Sequence, residues 1–380
     1  MMRFCLKLFF IFSLIVITAG GLFALDIFKN DFEQKWEQLF KDVEALNGYT
    51  SVHSVVLRDV KVEEYDIEGA IFTGATFSGV EWKFVDARKT VLTKTIFRNC
   101  KFIGGTWEDG TLTEVLFENC EFIDTSFSGS VVVNVRFKNC EINGTGIGYL
   151  TGKTVLFDGC TWNIGAGGDS SCEFLIKHCT IKGVSFSAMK GNVPILVEDS
   201  LLDEVNFGHS HFSTVTLRRV KQGEGPVRFN GATMDKITIK DVDLWRGLSL
   251  SEIKAGSVSI EGGKLKTSFS DSIIPKVYAR NVEFYLFSLS ESHLPFVSLT
   301  DCKIHDFPMW DGYTEELHLR NCAIDEIDGE NFKADTVIWD NVTLDGKIDF
   351  TNAQVKDFQA TRLKRGSQLQ LVTTGSNLKF

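Results

Sequence analysis

The sequence predicts an all-β solenoid: a parallel β-helix of about 15 coils, each of twenty residues, with an N-terminal α-helical cap. Three observations predict it. First, one four-residue block recurs at a spacing of twenty, as Phe97-Arg98-Asn99-Cys100, Phe117-Glu118-Asn119-Cys120, Phe137-Lys138-Asn139-Cys140 and Phe157-Asp158-Gly159-Cys160. Second, a large apolar residue returns at every fifth position inside the twenty, as at Phe72, Phe77, Trp82, Leu92, Phe97, Phe102 and Trp107. A small or β-branched residue stands two places earlier: Ala70, Ala75, Val80, Thr90, Thr95, Cys100 and Gly105. Third, the chain holds 32 Phe against 6 Tyr and 7 Trp. It needs a large apolar group without a polar tip many times over. A period of five fits neither a helix at 3.6 nor a flat strand at two. It describes a short extended piece followed by a corner. Four corners close a square coil, with two residues of each side pointing inward, and coils stack as parallel strands ~4.8 Å apart.

The elements before the repeat follow in chain order. Arg3 and Lys7 precede an uncharged run from Leu8 to Leu25. This is the pattern of a secretory signal over residues 1–24, or of an uncleaved anchor there. Either places the remainder outside the cytoplasm, periplasmic or secreted, with inner-membrane anchoring as the second form. The membrane is met only through an uncleaved N-terminal segment. Residues 25–50 are expected to hold an amphipathic capping helix running from Asn30 to Leu46. Asn30 caps it with Glu33 three residues on. Phe32, Trp36, Leu39, Phe40, Val43 and Leu46 form one face, and Gly48 closes it. Such a helix covers the first apolar layer of the stack.

Residues 51–360 carry the repeat. Phe97, Phe117, Phe137 and Phe157 form one interior aromatic ladder. Cys100, Cys120, Cys140 and Cys160 form an inward small-residue ladder. Stacked Cβ vectors run parallel, which suits a disulfide badly, so these thiols are expected to be unpaired and to act as small hydrophobes. Outside, charge alternates from coil to coil through Arg98, Glu118, Lys138, Asp158, Lys177, Glu198 and Arg218. Asn99, Asn119, Asn139, Asn281, Asn321 and Asn341 occupy corners, where Asn tolerates left-handed backbone. A one-residue deletion falls near Cys172 to Cys179, and small slips occur around Gly223 and Gly263.

The segments Ala70-Ile71-Phe72-Thr73-Gly74 and Ala75-Thr76-Phe77-Ser78-Gly79 resemble the pentapeptide-repeat family. The resemblance covers about Val55 to Phe358, strongly over 70–160 and in degenerate form after 220. It implies a right-handed quadrilateral β-helix. The family usually places Asp or Asn before the central apolar residue, and here that site holds Ile96, Lys101, Thr106 or Arg136. The departure leaves the second half open between four-sided and three-sided coils. The resemblance also implies one functional alternative, an acidic DNA mimic that binds a topoisomerase. The formal charge of −10 agrees with that alternative, and the export signal speaks against it.

Chemistry is sparse. The acidic balance argues against nucleic-acid binding through a broad basic surface. No catalytic residue and no cofactor site is assigned. Gly146 to Thr154 approaches a phosphate loop, but Ile147 stands where the motif needs Gly. No metal site is assigned either. His209 and His211 are the weak candidates, both expected to face outward beside an inward Ser210. Asp203 and Glu204, Asp241 and Asp243, and Asp325, Glu326 and Asp328 are carboxylate groups without a companion base at a repeating offset. The interaction candidates are Trp245, Phe307, Met309, Trp310 and Tyr313, the last four in an irregular insert, Phe307 to Tyr313, that contains Pro308. Residues 361–380, with Arg362, Lys364, Arg365 and Lys379 and no acid, read as a basic polar tail or final cap. The sequence thus points to an exported, non-catalytic scaffold of the bacterial envelope, or a secreted one, that binds a protein partner. The alternatives are a polysaccharide-acting β-helix enzyme, the DNA mimic, and a host-directed effector or adhesin.

Overall fold

The computed structural model describes residues 25–27, 51–53 and 55–378. The expected signal over 1–24 and the helix from Asn30 to Leu46 lie outside the described residues. Inside the 25–50 segment, Leu25–Ile27 are not helical. They are extended and pair in parallel with Val55 to Leu57.

The described chain is an all-β solenoid of about 16 turns. Four stacks run along its first half. One contains Lys61–Glu63, Glu81–Lys83, Lys101–Ile103 and Glu121–Ile123. The next is a line of single bridges through Asp66, Asp86, Thr106, Ser126 and Gly146. A third contains Ile71–Thr73, Val91–Thr93, Thr111–Thr113 and Val131–Val133. The fourth contains Val55–Arg58, Thr76–Ser78, Ile96–Arg98, Leu116–Glu118 and Val135–Lys138. All of these pairings are parallel, and each side buries its central apolar residue.

The interior is aromatic. Phe97, Phe117, Phe137 and Phe157 stack with ring centroids 4.8–4.9 Å apart and planes within 13°. Parallel rings can repeat at the strand spacing only because each is offset from the next. Every such Phe is sealed from water, which stabilises by roughly 1.5–3 kcal/mol per side chain. The eight described cysteines are buried free thiols. Cys100 Sγ donates to the carbonyls of Phe77 and Arg98, both at 3.3 Å. Thr95 Oγ1 and Ser210 Oγ reach the corresponding carbonyls, those of Phe72 and Phe186, at 3.1 and 3.3 Å. The inward small position therefore favours a donor as well as a small volume. Burial pushes the Cys172 thiol up to about 12, so it stays protonated.

Corner chemistry divides the solenoid. From Asp59 to Tyr149 a residue with positive φ stands at every fifth position. From Asp271 to Asn341 it stands at every tenth, and all eight of these residues are Asp, Asn or Glu. Asn and Asp tolerate this region because their short polar side chains bond locally. The second half therefore turns every other corner without left-handed backbone, and its strands run on through those corners, as in Tyr313–Arg320 and Lys333–Asp340. It does not become three-sided. Buried pairs still recur every five residues: Cys302 and Ile304, Phe307 and Met309, Gly312 and Thr314, Leu317 and Leu319. The square survives because two inward side chains per side still fill the centre.

The stretch after Thr361 is not a free tail. Lys364–Arg365 and Gln370–Val372 pair with Thr343–Leu344 and Lys347–Asp349 as one more coil. Asn377 then closes the open edge. Its Oδ1 accepts from Val355 N at 2.9 Å and its Nδ2 donates to Val355 O at 2.7 Å, as a further strand would. Leu378 is buried against the end of the core.

Candidate interaction surface

Regular coils bury only their inward apolar residues, and Tyr278 stands outward on a strand without any bulge. Two consecutive bulges set a different group of outward aromatics apart. Leu244 pairs with Leu265 and Leu248 with Thr267, so Trp245, Arg246 and Gly247 stand opposite Lys266 alone. One coil further, Leu265 pairs with Phe284 and Lys266 with Leu286, leaving Tyr285 as an extra residue. Extra residues bend a strand and redirect side chains. Gly247, at φ 139°, has open space where a Cβ would stand.

The bulges build one exposed band. Trp245 and Tyr285 have ring centroids 6.3 Å apart, and Tyr285 stacks on His305 at 5.3 Å and 18°. The Arg246 guanidinium lies 4.7 Å from the Trp245 ring centre, within cation–π range, and pairs with Glu224 at 3.2 Å. His305 Nδ1 is 2.7 Å from Asp325 Oδ2, and its Nε2 is 3.1 Å from Glu283 Oε1. Hydrogen bonding from His305, then the Lys264 charge, holds Glu283 below the usual carboxylate range against the opposing effect of burial. The surface thus combines aromatic faces, a cation and two carboxylates held in fixed positions. It suits recognition better than bond-breaking, since the acids are already bound to His305.

The sequence-predicted site residues separate. Trp245 and Trp310 are exposed. Tyr313 is half-buried and packs on His293 at 4.9 Å. Phe307 and Met309 are fully buried, a correction to their reading as surface residues. No insert exists there: Phe307 pairs with Ile327 and Pro308 with Asp328, in register. They are one inward pair of an ordinary side. His209 stands at a corner with φ 53° and His211 lies outward. Among the described residues the one cluster of three possible metal ligands is Asp66, Glu68 and Asp86, which excludes both histidines. That cluster is already neutralised: Arg88 grips Asp86 at 2.6 Å and Lys89 binds Glu68 at 2.6 Å. Asp203 has a structural role, accepting from Gly225 N at 2.6 Å. Gly146 to Thr154 runs from strand to strand, so the helix a phosphate loop requires does not follow it. Tyr285 and His305 were missed by sequence reasoning. Their one signal was the slip in the repeat near Gly263.

This geometry defines the class, a repeat solenoid, and it fits a non-catalytic repeat protein. Sequence comparison then supplies the kind of repeat. Residues 68–105 match the model of pentapeptide repeats in eight copies. No curated protein matches in sequence. Among solved structures, QnrB1, a plasmid-mediated fluoroquinolone resistance protein, is 15% identical over 49% of this chain and 87% of its own, with a TM-score of 0.29. HetL, a pentapeptide repeat protein involved in heterocyst differentiation regulation from the cyanobacterium Nostoc, is 13% identical over 61% of this chain and 90% of its own, at 0.32. The catalytic domain of a GH87 α-1,3-glucanase in complex with nigerose is 12% identical over 85% of this chain and 64% of its own, at 0.21. None of these likenesses bears on function.

Proposed function

We propose that the chain is an exported, non-catalytic β-helical scaffold that binds a protein partner through the band of Trp245, Tyr285 and His305. The observation that carries this is the pair of bulges on adjacent coils, which together carry two aromatic rings at the surface. Exposed Trp and Tyr with a flanking Arg are the residue types that dominate binding energy at protein interfaces. The charged run-up Arg3 and Lys7 and the apolar stretch behind it support export. Among the described residues the interior is filled with side chains, so a ligand of these coils is met on a face.

The test is a pull-down from envelope and extracellular fractions with the full chain and with the Trp245→Ala/Tyr285→Ala variant, beside fractionation of the native protein. A partner retained by the full chain and lost with the double variant supports the reading. Equal retention by both, or accumulation of the native protein in the cytoplasm, refutes it.

A further inference from the structure

Outward charge along the stack that contains Ile96–Arg98 is arranged so that cations meet acids. Glu118 is gripped by Arg98 at 3.0 Å and Lys138 at 2.8 Å. Further up, Glu198 takes Arg218 and Arg219, and Lys240 turns the other way to Glu261 at 3.2 Å. Arg218 and Lys240 are themselves in register, but each finds an acid on its other side. One coil past Glu261 the pattern fails without that remedy. Arg280 pairs in register with Thr300, and Thr300 with Arg320. A neutral residue stands between two arginines where an acid belongs. Among the described residues no carboxylate lies within ion-pair distance of Arg280. Arg320 has only Asp340, at 3.8 Å, and that carboxylate is already held by Arg362, whose Nη2 donates to both of its oxygens at 2.6 and 2.7 Å.

The same residues line an open groove of about 780 Å³. Thr300 and Ser298 offer hydroxyls on its floor. Tyr278 is exposed beside Arg280 on the outward side of the strand Lys276–Arg280. Two acids share the rim, and both are engaged: Glu261 by Lys240, and Asp301 by the Asn321 amide at 2.9 Å. Two under-paired guanidiniums flanking a hydroxyl are a receptor for an oxyanion. The lining is polar and shallow, without the apolar pocket that a peptide side chain needs. One exposed aromatic face beside hydroxyls and a charge matches a sugar ring.

We infer that the Tyr278–Arg280–Thr300–Arg320 groove binds an acidic glycan, with a carboxylate or sulfate of the sugar taking the place of the missing acid above Thr300. The inference is independent of the Trp245 band and uses none of its residues.

Binding to the full chain is measured by titration calorimetry with four probes: a sulfated heparin tetrasaccharide, an oligogalacturonate tetrasaccharide, neutral cellotetraose and a tetraglutamate peptide. The expected result is binding of one or both acidic tetrasaccharides, at least about ten-fold tighter than cellotetraose or tetraglutamate, the two acidic probes separating sulfate from carboxylate. Arg280→Ala and Arg320→Ala each weaken it about ten-fold or more. The decisive variant is Thr300→Glu, which completes the ladder within the protein. It abolishes glycan binding while keeping or raising Tm, whereas Arg136→Ala, at an exposed arginine outside the groove, leaves binding unchanged. Absence of binding by both acidic glycans, tighter binding of cellotetraose or tetraglutamate, or unchanged binding in Thr300→Glu overturns the inference.

Discussion

Gln222 closes the bulge at Gly247 with one side chain. Its Oε1 accepts from the amides of Arg246 and Gly247, both at 3.1 Å, and its Nε2 donates to the carbonyls of Gly247 and Gly225 at 2.9 and 3.0 Å. A bulge takes backbone groups out of the ladder, and buried or half-buried groups need replacements. Gln222 supplies them from the preceding coil and so fixes where Trp245 points. Replacing it with Ala leaves four backbone groups to find water. A loss of about 1–3 kcal/mol is expected in denaturant unfolding, with a red shift in fluorescence as Trp245 loosens.

Ile164 is a β-branched residue at φ 52° and 71% exposed. Left-handed backbone costs such a residue about 1–2 kcal/mol, and a side chain this exposed buries little to offset that. Ile164→Asn places a tolerant residue at the corner. It is expected to stabilise the protein by about 1 kcal/mol in urea unfolding, and a loss of stability would refute the strain argument.

Phe117 lies between Phe97 and Phe137 at the centre of the aromatic ladder. Phe117→Ala is expected to cost about 3–5 kcal/mol. Because each coil touches only its neighbours, the loss is local. Hydrogen exchange will accelerate around the coils of Phe97 to Phe157 and stay near its original rate beyond Asp271.

The thiols give a reading of state and processing together. The eight described cysteines are buried, and seven of them donate to carbonyls, so native protein is expected to resist a thiol reagent. In denaturant all should react. A mature chain that has lost Cys5 yields eight equivalents, and one that keeps it yields nine. Fewer than eight would mean that disulfides have formed.

Asp306 sits in register with Glu326 and near Asp328. Burial first, then these two charges, pushes its carboxyl above the ordinary value of 3.8, with Lys266 opposing. A raised carboxyl favours the folded state while protonated, and that contribution is lost as pH rises through the folded value. At pH 7 the ionised group therefore opposes folding. Asp306→Asn is expected to stabilise by on the order of 0.5 kcal/mol at pH 7, and the gain should vanish in acid. Glu118 has the opposite sign. Lys138 and then Arg98 hold it low, so its contribution is present at neutral pH and lost only in strong acid.

Most of the architecture was written in spacing. A five-residue return of Phe with a small residue two before it can be satisfied only by stacked square coils, because no other backbone puts those positions inside together. That rule placed Phe97 to Phe157 and Cys100 to Cys160 correctly, and applied strictly it would also have placed Phe307 and Met309. They were misread because Pro308 and the nearby Trp310 looked like an interruption, whereas an outward Pro on a side is harmless when its neighbours stay in register. What spacing cannot convey is where the ladder yields. The clasp of Gln222 on Gly247, the stacking of Tyr285 on His305, and the unbalanced step from Arg280 through Thr300 to Arg320 join residues about twenty or more apart. Those pairings depend on exact coil lengths, which drift by one or two residues where bulges occur. The inward side chains were legible because every coil repeats the same packing requirement. The outward ones were not, because their neighbours are set only when one coil settles on the next.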